Sequence, residues 1–211
     1  MKDNWRRKGW VRGYYFITDA GLSRAGIMAD VKNAVRAGVR VVQYRNKTGT
    51  TAELYKEAAE LRRLCQNTYL LINDRIDIAL AVGADGVHLG QEDMPVKEAR
   101  RLLGKKKIIG LTVHSLKEAK EARKSGADYL GLSPIFATST KLDAGEPAGV
   151  ALIRKIKKDI SLPLVGIGGI TLGNASRVIA AGGDALCAIS AVITKKDVKS
   201  EILKFQKLFD K

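Results

Sequence analysis

Two carboxylates, Asp74 and Asp93, have a spacing that could do chemistry. Asp74 follows an apolar run, Tyr69 to Asn73, and Asp93 follows a second, Gly86 to Leu89, with a short helix-like segment between the runs. Read as strand, helix, strand, this is a parallel βαβ unit. Its crossover returns the chain to its starting side, so both acids lie at the same ends of neighbouring strands. Two acids brought together without an evident basic partner repel, and they need a cation or a shared proton. Mg2+ suits them, because it takes oxygen ligands and typically binds one or two carboxylates plus a substrate phosphate. Mn2+ would be served by the same oxygens. The structural alternative is that Asp74 and Asp93 cap the helices that follow them, Asp being a favoured N-cap.

The elements that must position these acids recur along the chain. Short β-branched or aromatic runs stand at 14–18, 39–44, 69–72, 86–89, 107–113, 129–133, 163–167 and 185–189. Helix-period stretches lie near 26–37, 51–66, 75–83, 95–103, 115–125, 149–158, 173–181 and 198–209. Several of these end on Gly before the next strand, as in Val82-Gly-Ala-Asp, Ser125-Gly-Ala-Asp and Ala181-Gly-Gly-Asp, where Gly can take the left-handed turn that ends a helix. Eight alternating units predict an α/β fold, a single-domain (β/α)8 TIM barrel of parallel strands with outer helices. A doubly wound open sheet is the other arrangement compatible with the pattern. No linker divides the chain, which is read as a basic N-terminal arm, 1–13, and a barrel domain, 14–211.

In a barrel, chemistry belongs to the loops after the strands. After the second strand, alternation points Gln43, Arg45 and Lys47 the same way, so two cations and an amide can converge on one anion. Thr112 and His114 follow the fifth strand; a lone His is more often structural than catalytic. After the sixth, Thr138, Ser139, Thr140 and Lys141 make an anion cradle in a loop long enough to close over a ligand. The seventh strand ends in Gly166-Ile-Gly-Gly-Ile170 and the eighth in Ile189-Ser190-Ala191, the rim positions where barrels commonly hold a phosphate. Arg45, Lys47, Asp74, Asp93 and Lys141 therefore suit a Mg-bound pyrophosphate. Thr138, Thr140, Gly169, Ile189 and Ser190 suit a monophosphate. A metal and cations around a leaving pyrophosphate lower the barrier to its departure, so the rim reads as that of a transferase joining two phosphorylated small molecules.

Composition narrows the classes. With 211 residues and 45% apolar content the chain can bury a substantial core, and no apolar run approaches the roughly 18 residues of a membrane span. The first residues lack a signal peptide's apolar core, which favours a cytoplasmic protein. Cys65 and Cys187 sit in apolar patterns and read as buried thiols. The formal charge of +15 raises the question of nucleic acid. The cations, however, are spread over many helices among Glu and few aromatics, the pattern of a solvated face. Only Arg6, Arg7, Lys8 and Arg12 beside Trp5 and Trp10 form a segment that could bind a nucleic acid, or else cover the barrel bottom. Small molecules are the expected partners, with no nucleic acid and no membrane, and a homo-oligomer is left open.

The set QYRNK at 43–47, IND at 72–74, HLGQED at 88–93, GLTVH at 110–114, GLSPIFATSTK at 131–141, GIGGI at 166–170 and ISA at 189–191 resembles the thiamine-phosphate synthase family. The resemblance runs in order from about Tyr14 to the carboxyl terminus. It implies a (β/α)8 barrel that couples a hydroxymethylpyrimidine pyrophosphate to a thiazole phosphate, giving thiamine phosphate and pyrophosphate. It assigns Gln43, Arg45, Lys47, Asn73, Thr112 and Lys141 to the pyrimidine substrate and Asp74 and Asp93 to Mg2+. Thr138, Thr140, Gly169, Ile189 and Ser190 go to the thiazole phosphate, with Ser139 in the same loop. The implied mechanism is dissociative: Mg2+, Arg45, Lys47 and Lys141 draw off pyrophosphate, Thr112 contacts it, and the thiazole nitrogen attacks the pyrimidine methylene cation. The chain departs from the family's usual pattern in having Asn46 for the usual Glu, Thr112 for the usual Ser and Ala137 where Pro is often found. The related thiazole tautomerase shares the barrel and the thiazole-phosphate site without the pyrophosphate half, and the presence of Asp74, Asp93, Arg45 and Lys47 favours the synthase.

Overall fold

The computed structural model describes residue 5 and residues 9–138 and 145–210. Each sequence unit becomes a strand and a helix: β1 (Gly13–Ile17), α1 (Ile27–Arg36), β2 (Val41–Tyr44), α2 (Thr51–Leu64), β3 (Tyr69–Asn73), α3 (Ile76–Ala81), β4 (Gly86–Leu89), α4 (Val96–Leu103), β5 (Ile108–Val113) and α5 (Leu116–Ser125). The second half continues with β6 (Tyr129–Leu132), α6 (Gly149–Asp159), β7 (Leu164–Ile167), α7 (Ala175–Ala180), β8 (Ala185–Cys187), α8 (Ile189–Ile193) and α9 (Val198–Gln206), closed by a 3-10 turn at Lys207–Phe209. The strands run in sequence order, all parallel, and β1 pairs with β8 to close the barrel. The open doubly wound sheet is thereby excluded.

Strands buried on both faces read as continuous apolar runs, and their alternation divides the core in two. One set of side chains packs between sheet and helices, from Phe16 and Val42 to Leu130 and Ile153. The other fills the barrel interior: Tyr15, Ile17, Val41, Tyr69, Leu71, Ile108, Tyr129, Val165, Ala185 and Cys187. Trp10, 5% exposed, seals the amino-terminal mouth, its ring edge-on to Tyr69 and Tyr129 at 5.5 and 5.7 Å. The described part of the arm is thus a floor to the barrel, tied down further by Trp5 Nε1 donating to the Lys106 carbonyl and Arg12 to that of Phe209.

Thr50 and Glu53 form a reciprocal capping box on α2, and Ser115 and Asp197 cap α5 and α9. The expected left-handed glycines are present, with Gly83, Gly126 and Gly182 at φ of 65°, 90° and 101°. The Asp that closes each of these turns has a further role. Asp85, Asp128 and Asp184 each accept from a backbone N–H of the preceding strand (Leu70, Ile109, Leu164), at 2.8, 2.8 and 2.9 Å. Each also pairs with a helix cation: Arg62, Arg100 and Lys157, at 2.6, 2.6 and 2.8 Å. These clamps all lie on the amino-terminal face, where barrels place stability rather than chemistry.

The eighth unit differs from expectation. The strand stops at Cys187 and the chain turns directly into α8 at Ile189, so Ile189 and Ser190 open a short helix instead of ending a strand. Both cysteines are buried and free. No helix among the described residues is long and apolar enough to cross a membrane.

Candidate active site

The carboxyl ends of the strands enclose one pocket, lined by Gln43, Arg45, Lys47, Asn73, Asp74, Asp93 and Thr112 from the β2–β5 side. Across it stand Thr138, Gly169, Ile189 and Ser190 from the β6–β8 side. Ser139, Thr140 and Lys141 lie outside the described residues. Every described residue singled out from the sequence for the site is therefore in one cavity, with the two sets on its two sides.

The acids behave as more than helix caps. Neither α3 nor α4 has a side-chain cap, so Asp74 and Asp93 are held otherwise. Asp74 is a non-glycine residue in the left-handed region, at φ 62°, a conformation Asp tolerates better than most. That turn aims its carboxyl into the rim, within hydrogen-bonding reach of Asp93. Asp93 is fixed by the Gly90 N–H, which donates to Oδ2 at 2.6 Å. Burial, and after it the Asp93 carboxyl, push the Asp74 carboxyl above the ordinary carboxylate range, while Lys47 pulls it back. The pair is not without a basic partner, as the sequence suggested: Lys47 Nζ lies 3.1 Å from Asp74 Oδ2. Two facing carboxylates, pressed together in a half-buried rim, can serve as ligands to a hard divalent cation that keeps waters and takes its other oxygens from elsewhere. Among the described residues no third acid, His or Cys joins them.

Arg45 is held by a residue the sequence reading passed over. Asp19, just beyond β1, accepts from the Arg45 guanidinium at 3.5 Å while its other oxygen takes the N–H groups of Gly21 and Leu22. The Thr18 hydroxyl, meanwhile, takes the Arg45 N–H at 2.8 Å and donates to its carbonyl at 3.0 Å. The Asn46 side-chain carbonyl closes the turn onto the N–H groups of Thr48 and Gly49. Its amide donates to Glu57, which also takes the Tyr44 hydroxyl. The carboxylates that orient the two cations are thus Asp19 and Asp74.

The histidines divide as composition alone could not foresee. His114 sits outside the pocket, its ring against Glu118 at 3.1 Å at the start of α5. His88 points into the barrel and lines the pocket floor, Nδ1 at 2.7 Å from the Tyr129 hydroxyl and Nε2 at 2.8 Å from Thr112 Oγ1. Burial lowers its pKa to about 4, against a small upward pull from Asp93, so the ring is neutral at physiological pH. Cys187 also lines the pocket, but burial pushes its thiol far above the usual range. It is no thiolate nucleophile.

On the opposite wall the Gly-rich end of β7 is shaped by packing. Gly168 and Gly169 have φ of 92° and 64°, and a Cβ on Gly169 would come within 2.4 Å of the Ala137 carbonyl. The β6 and β7 ends are laced together by Ile135 N–H to the Ile167 carbonyl and Phe136 N–H to that of Gly168. Asn174 Nδ2 donates to the Gly169 carbonyl at 2.9 Å and holds the turn from below.

The chain is similar to known proteins of one family. A family model described as thiamine monophosphate synthase matches residues 14–192. The thiamine-phosphate synthase of Methanosarcina barkeri is 55% identical over 189 residues, covering 89% of this chain and 86% of its own length. That of Chloroflexus aurantiacus is 50% identical over 187 residues, covering 87% of this chain and 86% of its own. The solved structure of thiamine phosphate pyrophosphorylase from Pyrococcus furiosus superposes with a TM-score of 0.89 at 38% identity, over 97% of this chain and 98% of that one.

Proposed function

The chain belongs to the thiamine monophosphate synthase family and makes thiamine phosphate, and we propose that the rim pocket does so by metal-assisted loss of pyrophosphate, with each wall holding one substrate. The reaction joins 4-amino-2-methyl-5-hydroxymethylpyrimidine pyrophosphate to 4-methyl-5-(2-phosphoethyl)thiazole. The observation that carries the mechanism is the division of the pocket: Arg45, Lys47, Asp74 and Asp93 on one side, and Thr138, Gly169, Ile189 and Ser190 on the other.

Asp74 and Asp93 would hold Mg2+, which would offset the charge that builds on the departing pyrophosphate. Arg45 and Lys47, joined by Lys141 of the β6–α6 loop, bind the pyrophosphate oxygens and favour its departure, and the Thr112 hydroxyl donates to the same anion. Gln43 and Asn73 orient the pyrimidine. Thr138, Thr140 and Ser139 with Gly169, Ile189 and Ser190 hold the thiazole phosphate, so that the ring nitrogen faces the carbon that loses pyrophosphate. The thiazole nitrogen carries its own lone pair, so the bond to carbon needs neither a protein nucleophile nor a base. Consistent with this, His88 is engaged at both nitrogens and Cys187 keeps its proton. The setting is cytoplasmic and the partners are the two small molecules.

The test is pyrophosphate release with both substrates, with and without Mg2+, alongside Asp93→Asn. Release should need both substrates and the metal, and it should fall by orders of magnitude in the variant. Tautomerisation of the thiazole phosphate without any release would overturn the mechanism and make the pocket that of a tautomerase.

A further inference from the structure

Beneath the rim an unbroken series of side-chain hydrogen bonds crosses the barrel interior from one wall of the pyrimidine site to another. Gln43 Nε2 lies 3.1 Å from the Tyr15 hydroxyl, which lies 2.7 Å from that of Tyr129. The Tyr129 hydroxyl is 2.7 Å from His88 Nδ1, and His88 Nε2 is 2.8 Å from Thr112 Oγ1. Its two ends, Gln43 and Thr112, line the pocket. The barrel makes room for it with glycines: a Cβ on Gly110 would stand 2.1 Å from the Tyr129 ring, and one on Gly131 2.9 Å from His88 Cε1. Among the described residues the only buried side-chain oxygen left without a partner, Asp30 Oδ1, lies elsewhere.

With neutral His88 holding one N–H, and with each buried tyrosine hydroxyl spending its single proton within the chain, only two directions remain. In the first, Gln43 donates to Tyr15, Tyr15 to Tyr129, Tyr129 to His88 Nδ1, and His88 Nε2–H to Thr112. The Thr112 proton is then left for the pocket, and so is the Gln43 carbonyl. In the second, the Gln43 amide is turned over and Thr112 spends its proton on His88, so its lone pairs face the pocket. A pyrophosphate accepts hydrogen bonds and gives none, so only the first direction suits the anion beside Thr112. The ends are coupled, and a donor at Thr112 forces an acceptor at Gln43.

We propose that Tyr15, Tyr129 and His88 are positioning residues, a one-way hydrogen-bond chain that holds Thr112 as donor and Gln43 as acceptor and thereby selects an amino-bearing pyrimidine over an oxo-bearing one. The identity of the ring and the choice of direction both rest on the synthase reading above; the His88 tautomer that reports the direction is measured without any substrate. An exocyclic amino group gives the Gln43 carbonyl the hydrogen bond it lacks, whereas an oxo group sets acceptor against acceptor.

Two measurements test this. The sequence has two histidines, so long-range 1H–15N NMR of the substrate-free protein, with the other signal removed by His114→Gln, reports which nitrogen of His88 holds the proton. Nε2–H is expected, and a proton on Nδ1 overturns the proposal whatever the enzyme catalyses. The second measurement is the ratio of the inhibition constant of the 4-oxo pyrimidine pyrophosphate to the KM of the 4-amino substrate. Tyr129→Phe keeps the ring and removes the central hydroxyl, and the ratio should fall by about tenfold. Tyr15→Phe, one link further from Thr112, should act in the same direction. Trp10→Phe alters the packing under Tyr129 without touching the chain and should leave the ratio in place. An unchanged ratio in both tyrosine variants, or an equal fall in Trp10→Phe, overturns the selection. If the wild-type protein releases no pyrophosphate at all, the synthase mechanism fails and the tautomer still decides the direction of the chain.

Discussion

Lys47 stands in the place of a cation, and replacing it separates two roles that the rim gives to one side chain. Its ammonium sits 3.1 Å from Asp74 Oδ2, with the Lys47 side chain 55% exposed and that of Asp74 24%. At that distance the bare attraction in water is about 1 kcal/mol, and half-exposed pairs of this kind contribute roughly 0.2–1 kcal/mol once side-chain entropy and solvent are counted. A divalent ion approaching Asp74 must displace the ammonium and loses that amount of affinity. Lys47→Met, which removes the charge, should therefore tighten Mn2+ or Mg2+ binding to the substrate-free protein by up to about fivefold. The gain should shrink in high salt, which screens exposed pairs. Turnover should fall in the same variant, because the ammonium beside Asp74 is the one proposed to meet the pyrophosphate. Titration of Mn2+ by electron paramagnetic resonance at low and high ionic strength measures the first effect, and pyrophosphate release the second. Metal binding that is unchanged or weaker in Lys47→Met would refute the exchange.

Other outcomes follow from neighbouring contacts. Asp74→Asn keeps a residue that accepts φ 62° and removes a charge that burial and Asp93 disfavour. Because the folded-state pKa is raised, the penalty on the wild type is present above that pKa and vanishes as pH falls below the ordinary value of 3.8. The variant should thus melt higher than the metal-free wild type near neutrality, the gap should close on acidification, and activity should be lost. A melting temperature below wild type at pH 7 would contradict this. Asp19→Asn should raise the KM for the pyrimidine pyrophosphate several-fold while changing stability by less than ~1 kcal/mol, since the guanidinium has donors for both Asp19 and substrate and loses only its orientation. Gly110→Ala forces a methyl against the Tyr129 ring and should cost about 1–3 kcal/mol, read as a melting temperature several degrees lower.

How much of this was legible in the sequence depends on the distance over which each signal acts. Strand and helix order came through because the strands are buried on both faces and α1, α3, α4, α5 and α7 are each followed by a left-handed glycine, both local patterns. The rim residues came through because a parallel barrel carries every strand end to one face, so Gln43, Arg45, Asp74, Asp93 and Thr112 needed only to be found at the right positions. The start of α8 was missed, since Ile189-Ser190-Ala191-Val192-Ile193 is as apolar as a strand and only the turn at Ala188 redirects it. The partnership of Lys47 with Asp74, and of Asp19 with Arg45, depends on how neighbouring strand ends converge, which spacing along one strand does not encode.

The interior chain shows the limit most sharply. Tyr15, Gln43, His88, Thr112 and Tyr129 come from five strands, and each is unremarkable in its own segment, an aromatic or polar residue at an inward position. What joins them is the stagger of the closed barrel. Its registers pair His88 with Gly110 and Gly110 with Tyr129, leaving the space of absent side chains for the Tyr129 ring and, at Gly131, for His88. The sequence does hold a trace of this arrangement: Gly86, Gly110 and Gly131 stand at inward positions of apolar strands, where glycine weakens a strand and therefore marks a close approach. Read that way, a glycine on a barrel strand announces a large neighbour across the interior. The Tyr15 and Tyr129 hydroxyls, buried in that interior, then have to find their partners among its other polar members. The same requirement that keeps the core free of orphaned hydroxyls fixes which way the two pocket-lining ends can point, so packing in this barrel and selection at its rim draw on one set of residues.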